Sequence, residues 1–317
     1  MSEPLIIAIP SKGRLKEQVE EWLSDCGLDV KIAGGARGYS ANLQGLPGVQ
    51  VRLLSAADIA TALWNGEIHL GVTGEDLLRE QGDGLEAKVM LLQALGFGRA
   101  DLVVAAPKSW LDVELMSDID EVAHLYLART GRRMRVATKY LAQTRSFFAR
   151  HGVADYRIVE SGGATEGAPA AGAAELVVDI TTTGATLEAN GLRVLRDGVI
   201  LKSQAQLAAS LTAPWDEDQA DAARKLLRIL EARRRAKHLS SLTWPPENDA
   251  KARDATQTFV INGAQVRANG LLVPSGEVFA VSDALSTAGV EPVTVTTPQF
   301  VFQARSEAAE SLIRKLG

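Results

Sequence analysis

The chain has one cysteine, Cys26, in 317 residues. A single thiol excludes an intrachain disulfide and a thiol-rich zinc site, and such sparing use fits a reducing compartment. Its place near the end of an amphipathic helix predicts a small buried hydrophobe rather than a reactive group. Long apolar runs are also missing: LEAKVMLLQALGFG and AELVVDI fall far short of the ~20 residues a membrane-spanning helix needs. The N-terminus MSEPLIIAIPSKGR lacks the basic flank, apolar region and cleavage site of a secretory signal, so a cytoplasmic location is expected. The four histidines, His69, His124, His151 and His238, are scattered without i, i+4 pairing. They support neither zinc chemistry nor a Ser-His-Asp triad, and structural roles are expected for all four. A net charge of −5 argues against a uniformly basic, nucleic-acid-binding surface. The run Arg233-Arg234-Arg235 with Lys237 falls at the C-terminal end of a predicted helix, where cations complement the dipole.

What is present is an ordinary globular composition, 46% hydrophobic and 23% charged, in a chain long enough for two or three compact units. The first hundred residues alternate short apolar strands with amphipathic helices, which predicts a mainly parallel sheet covered on both faces. LIIAI at 5–9 reads as a buried strand, followed by a helix carrying Leu15, Val19, Trp22 and Cys26 and stopped at Gly27. VRLL at 51–54, a helix over 57–65 and HLGVTG at 69–74 repeat the theme, and VMLLQALGF and ADLVVAA extend the same sheet. The alternation restarts after Pro107 with RVAT, a helix bearing Leu141, Phe147 and Phe148, then YRIV and ELVVDI. VLRDGVILKSQ reads as a return crossover into the first unit, completed by a helix from about Asp216 with Ala223, Leu226, Leu227 and Leu230 on one face. From His238 the strands LSSLTW, TFVIN, VRANGLLV and PVTVTT and two helices read as β-α-β-β-α-β, the ferredoxin-like order, with a final helix from Glu307 to Leu316. The expected division is therefore 1–105 completed by 194–237, 106–193, and 238–317.

Chemistry concentrates between Glu160 and Leu192, where an apolar strand ends near Asp179 and runs into Thr181-Thr182-Thr183-Gly184-Ala185-Thr186 before a helix. A hydroxyl-rich strand-to-helix turn can cradle an anion, because unpaired backbone N–H groups and the helix dipole converge there. Gly184 permits close approach or positive φ, and Thr182, Thr183 and Thr186 add hydroxyl donors. The same residues equally describe a Thr-capped helix.

GATEGAP at 163–169 followed by DITTTGATLEANGL resembles the phosphoribosyl-diphosphate signature of the ATP phosphoribosyltransferases, which open histidine biosynthesis. PSKGRL at 10–15, IHLGVTGEDLL at 68–78, LGFGRADLVVAAP at 95–107, RVATKY at 135–140 and ILKSQAQL at 200–207 agree in order, so the likeness covers about residues 5–210. The resemblance implies two periplasmic-binding-protein-like α/β lobes forming a catalytic cleft, and a C-terminal ferredoxin-like regulatory domain. It implies that Thr182, Thr183, Gly184, Ala185 and Thr186 hold the 5-phosphate of 5-phosphoribosyl-1-diphosphate, with Asp179 and Glu166 near the ribose. Carboxylates suit a ribose diol and tolerate Mg²⁺, held mainly by substrate with Asp179 or Glu166 as possible ligands. ATP is placed by resemblance at Lys12, Gly13 and Arg14, with Thr73 and Gly74 lining the same cleft and Lys139 a weaker candidate on the opposite wall. Histidine as feedback inhibitor and a hexamer follow from the family's long form, with no nucleic-acid or membrane partner. One departure stands out: where the family carries Arg-x-x-Asp-Ile-Pro, this chain has Ser55-Ala56-Ala57-Asp58-Ile59-Ala60. Arg52 or Arg99 is expected to supply the missing cation. The rival is a non-catalytic small-molecule-binding homologue, because two α/β lobes alone do not distinguish an enzyme from a receptor.

Overall fold

The computed structural model describes residues 3–32 and 40–317. The first lobe contains β1 (Leu5–Pro10), α1 (Gly13–Asp25), β2 (Val30–Ile32), β3 (Ser40–Leu43), β4 (Val49–Leu54), α2 (Ala56–Asn65), β5 (Leu70–Gly74), α3 (Glu75–Glu80), α4 (Leu85–Lys88) and β6 (Val89–Ala94). The second lobe contains β7 (Ala100–Pro107), α5 (Met116–Thr130), β8 (Met134–Thr138), α6 (Leu141–Arg150), β9 (Tyr156–Glu160), β10 (Leu176–Thr181), α7 (Ala185–Ala189) and β11 (Leu192–Ser203). The chain then returns to the first lobe as β12 (Ala205–Ser210) and α8 (Glu217–Ala236).

The first sheet runs β2-β3-β4-β1-β5-β12-β6 and the second β11-β7-β10-β8-β9. β1 is buried along its whole length because both faces are covered, which explains an uninterrupted apolar run. Leu5, Ile7 and Ile9 pack with Val19, Leu23, Leu226 and Leu230, while Ile6 and Ala8 face Ile59, Leu63 and Leu78. In the second lobe Leu102, Val104 and Ala106 meet Met116, Ile119, Phe147 and Phe148, and Val103 and Ala105 meet Val177 and Leu187.

The first sheet is not mainly parallel: only β1 with β4 and β1 with β5 run the same way. β12 arrives from the other lobe and runs opposite to both of its neighbours, and the β2–β3–β4 meander makes the other edge antiparallel. The lobe boundaries also move. ADLVVAA is β7 of the second sheet rather than an extension of the first, and VLRDGVILKS is β11, paired along β7 rather than a crossover. Short links at 95–99 and at Gln204 therefore join the lobes, and they bond to each other. Leu95 N–H donates to the Ala205 carbonyl and Ala205 N–H to the Phe97 carbonyl, both at 3.0 Å, and Gly96 N–H donates to Gln204 Oε1 at 3.1 Å.

After α8 come β13 (Leu239–Thr243), α9 (Asp249–Ile261), β14 (Gln265–Arg267), β15 (Gly270–Pro274), α10 (Val278–Thr287) and β16 (Thr294–Thr296), in an antiparallel sheet ordered β14-β15-β13-β16. TFVIN is not a strand here but the last turn of α9, and VRANGLLV supplies both strands of a hairpin turned at Asn269, φ +51. Leu242, Trp244, Leu271, Val273, Val281 and Leu285 form this unit's own core. The final helix α11 (Glu307–Leu316) leaves that unit and returns to the first lobe. Ala309 and Leu312 join the core of β1 and α8, and Glu231 accepts the Ala308 N–H at 2.9 Å. Burying Leu312 there favours this docking by ~1.5–3 kcal/mol.

Candidate active site in the interlobe cleft

The cleft's second-lobe wall grows from the C-terminal ends of β8 and β10. These are parallel neighbours, Leu176 facing Val136, so the residues that follow them emerge side by side. β10 ends at Thr181 and the chain turns through Gly184, whose φ of +79° is strained for any other residue. Gly184 N–H donates to Thr181 Oγ1 at 2.8 Å, and Ala185 N–H to Thr183 Oγ1 at 3.4 Å. Two threonines thus cap the turn, and Thr182, Ala185 and Thr186 lie exposed around an open space in which a Cβ on Gly184 would touch nothing. The Thr181 and Thr183 hydroxyls accept from the turn's own amides, and α7 itself begins at Gly184 without a side-chain cap.

Asp179 sits on the same strand end, half-buried, with Oδ1 accepting the Ile180 N–H at 2.8 Å. Burial pushes its carboxyl up from the ordinary value; that bond and Lys139 oppose the rise, and Glu166 adds to it. Glu166 lies in the helical turn Thr165–Gly167, entered through Ala164 at φ +48°. The structure so brings Asp179, Glu166 and Lys139 together beside the threonine turn. Among the described residues no group of three or more His, Cys, Asp or Glu side chains could hold a metal. Asp179 and Glu166 offer carboxylate oxygens, the donor type that a hard divalent cation takes.

The first-lobe wall is the β1-to-α1 turn. Gly13 has φ +76°, α1 lacks a side-chain cap, and no acid lies in its first turn, a helix start whose electrostatics suit an anion. Lys12 and Arg14 are exposed beside it. The 95–99 link connects the two walls: a Cβ on Gly98 would stand 3.0 Å from the Leu15 side chain, and the Arg99 carbonyl accepts Thr182 Oγ1 at 3.4 Å. Arg99 is therefore at the turn.

Three expected residues are placed otherwise. Arg52 points away, its guanidinium donating to the Glu67 carbonyl at 3.4 Å, before β5 begins, where it also acts on buried His69. Thr73 is fully buried and gives its hydroxyl proton to the Ala56 carbonyl at 2.6 Å, so it anchors α2 and does not face a ligand. Gly74 is also structural, because a Cβ there would collide with the Asp76 carboxylate. Ser55 has its own local explanation: it caps α2, accepting the Asp58 N–H at 3.1 Å and donating to Asp58 Oδ2 at 2.6 Å.

Sequence reading missed a clamp across the cleft's side. Tyr140 donates its hydroxyl to Asp76 Oδ2 at 2.8 Å, and Ser203 donates to Asp76 Oδ1 at 2.7 Å while accepting the Asp76 N–H at 3.0 Å. Glu80 of α3 accepts the Ala142 and Gln143 N–H groups at 2.8 and 3.2 Å, so the first lobe caps a helix of the second. These partners lie more than sixty residues apart, and no spacing rule reaches that far. The bland readings of other groups hold. His69 accepts the Ile6 N–H at 3.1 Å and its Nε2 faces the Pro214 carbonyl at 3.0 Å; burial lowers its pKa, so it stays neutral. Burial pushes the Cys26 thiol up to about 11. Arg233 and Lys237 pair with Asp25, and Arg235 donates to the Val301 carbonyl at 2.8 Å.

Residues 55–232 match the family described as HisG, ATP phosphoribosyltransferase. An ATP phosphoribosyltransferase of Caulobacter vibrioides (strain NA1000 / CB15N) is 66% identical over 316 residues, covering 100% of this chain and 99% of the relative. One from Bradyrhizobium sp. (strain ORS 278) is 47% identical, with 95% of each chain covered. A chain of the ATP phosphoribosyl transferase (HisG:HisZ) complex from Thermotoga maritima superposes with TM-score 0.55 at 25% identity, covering 72% of this chain and 96% of that one. The threonine turn, the acidic pair and the matched family all fall on the same segments, and the chain belongs to the ATP phosphoribosyltransferase family.

Proposed function

We infer that the chain transfers the 5-phosphoribosyl group from 5-phosphoribosyl-1-diphosphate to ring nitrogen 1 of ATP, releasing diphosphate, the first step of histidine biosynthesis. The observation that carries the site assignment is the convergence of Asp179, Glu166 and the exposed Thr182–Thr186 turn at one strand end. The N1 lone pair forms the new bond to the anomeric carbon as that carbon's bond to diphosphate breaks, and the bonding pair leaves on the diphosphate oxygen. No protein nucleophile is needed. The chain's own contribution is to hold two anionic substrates in line and to balance charge as it moves.

In this reading Thr182, Thr183, Gly184, Ala185 and Thr186 seat the 5-phosphate, and Asp179 and Glu166 accept hydrogen bonds from the ribose hydroxyls. Their negative charge also favours the oxocarbenium character that develops at the sugar. Lys12, Gly13 and Arg14 with the uncapped start of α1 take the phosphates of ATP, and Arg99, on the link between the walls, faces the departing diphosphate. Thr73 and Gly74 support this wall from behind. The metal is proposed to be Mg²⁺, held mainly by substrate with Asp179 or Glu166 as its protein ligand; when bound it neutralises charge on the diphosphate.

The C-terminal unit is proposed to be a ferredoxin-like regulatory domain that binds histidine and lowers activity, and the assembly a hexamer. Its strand order β14-β15-β13-β16 and separate core support a separable module. Calorimetry of the full chain with histidine, paired with an activity titration, should give heat and inhibition together; neither at millimolar histidine would remove regulation alone. The catalytic reading is tested by product mass. ATP should gain one phosphoribosyl unit, and 1-deaza-ATP, which lacks the attacking nitrogen, should gain none. ATP left unmodified would favour a non-catalytic, ligand-binding homologue instead.

A further inference from the structure

At the opposite end of the second sheet, α5 stops at Thr130 and β8 and β9 begin. Arg132, Arg133, Arg135 and Arg157, with Tyr126, line a hollow of about 330 Å³ there. Arg135 and Arg157 are register partners on adjacent parallel strands, so their side chains share one sheet face, an arrangement like charges disfavour unless something neutralises them. Glu175 neutralises only one. Its Oε1 accepts from Arg135 Nη2 at 2.6 Å, Arg135 Nε at 3.2 Å and the Tyr126 hydroxyl at 3.0 Å, and its Oε2 accepts the Arg135 N–H at 2.6 Å and Arg135 Nε at 3.2 Å. With about four lone-pair positions, that carboxylate has nothing left for a second guanidinium. Asp155, just before β9, faces His124 at 3.3 Å. Arg132, Arg133 and Arg157 stay exposed, and among the described residues none of the three has an acidic partner.

An unbalanced triple positive charge in a concavity is unusual for a chain whose net charge is −5. The guanidinium fork matches phosphate oxygens two at a time and carries its charge at every physiological pH. We propose that this hollow is a second anion site that takes an oligophosphate, two or three linked phosphate groups, free or attached to a nucleoside. It is separate from the catalytic cleft: the four steps along β8 from Arg135 in the hollow to Lys139 span about 13 Å, at ~3.3 Å per residue. Three cations on one loop and an edge strand suit a chain of charges better than a single compact anion.

The test is calorimetric titration of the full-length protein with inorganic tripolyphosphate, wild type against the Arg133→Ala/Arg157→Ala double variant. All replaced side chains are exposed, so folding is not at stake. Wild type should show two classes of site, one at the cleft and one at the hollow. The variant should keep the first and weaken the second by roughly tenfold for each guanidinium lost, with turnover unchanged in phosphate-free buffer. Titration with adenosine 5′-triphosphate separates the two sources: equal loss for both ligands means the phosphates alone are read, a larger loss for the nucleotide means the nucleoside is read too, and either supports the site. Identical isotherms for wild type and variant would overturn it.

Discussion

The Tyr140 hydroxyl lies 2.8 Å from Asp76 Oδ2, a buried hydrogen bond between a residue at the cleft floor of one lobe and the first helical turn that faces it from the other. Burial and the Asp76 carboxylate both push the Tyr140 phenol far above its ordinary pKa, so it remains a donor at every working pH. Because Tyr140 follows Lys139 directly, the bond fixes that end of β8 relative to the first lobe.

Tyr140→Phe should therefore cost ~1–3 kcal/mol, since Asp76 loses one of its two side-chain donors while staying buried. Thermal unfolding should show a drop of several degrees. Turnover should fall with it if Lys139 needs that placement, and an unchanged melting temperature would contradict the clamp.

Asp179 is shifted in the same direction with a different consequence. Its carboxyl is raised in the fold by burial, so the ionised form is disfavoured by folding. By linkage its contribution to stability is greatest below the unfolded-state pKa and is lost as pH rises through the raised folded value. Asp179→Asn should leave the melting temperature at pH 7 equal or higher. It should still lower kcat/KM by at least about tenfold, ~1.4 kcal/mol of transition-state stabilisation. In wild type the acid limb of kcat/KM should reflect this raised group, and the variant should lose it. A less stable Asp179→Asn protein with full activity would reverse the assignment.

The threonine turn yields two separable variants. Thr186→Ala removes an exposed hydroxyl and should weaken 5-phosphoribosyl-1-diphosphate binding roughly ten- to a hundredfold, for a charge-assisted bond of ~1.5–3 kcal/mol. Gly184→Val meets no atom within 4 Å but must hold φ +79°, so it should also cost ~1–2 kcal/mol of stability. Direct titration of each folded protein reads both, and unchanged affinity in either would move the phosphate elsewhere.

The Arg99 backbone lies at the threonine turn, whereas the Arg52 guanidinium is engaged at Glu67. Arg99→Ala should lower turnover by more than about tenfold, whereas Arg52→Ala, whose partner is the Glu67 carbonyl, should retain it. Steady-state kinetics of the two proteins decide, and the reverse ranking would place the missing cation on β4.

Local patterns made much of this legible. α8 begins after Asp216, Gly184 and Gly27 turn the chain, and the apolar run at 5–9 is a doubly covered strand. The strand, turn and helix from Leu176 to Ala189 were readable because they are contiguous in sequence. What stayed hidden depends on long-range pairing. ADLVVAA carries no sign of which sheet it joins, because either neighbour would bury it equally. TFVIN is apolar and β-branched enough for a strand, yet α9 continues through it and buries Thr256 and Ala252 on its inner face. Thr73 looked like a ligand because its hydroxyl's partner, Ala56, lies in another strand-to-helix turn.

The central claim is that this cleft joins ATP to the phosphoribosyl donor. Diphosphate release measured with both substrates and Mg²⁺, and with each omitted in turn, tests it most directly. The account predicts release only in the complete mixture, at a rate that Asp179→Asn and Arg99→Ala each lower at least about tenfold. Release that needs only one substrate, or that both variants leave unchanged, would contradict it.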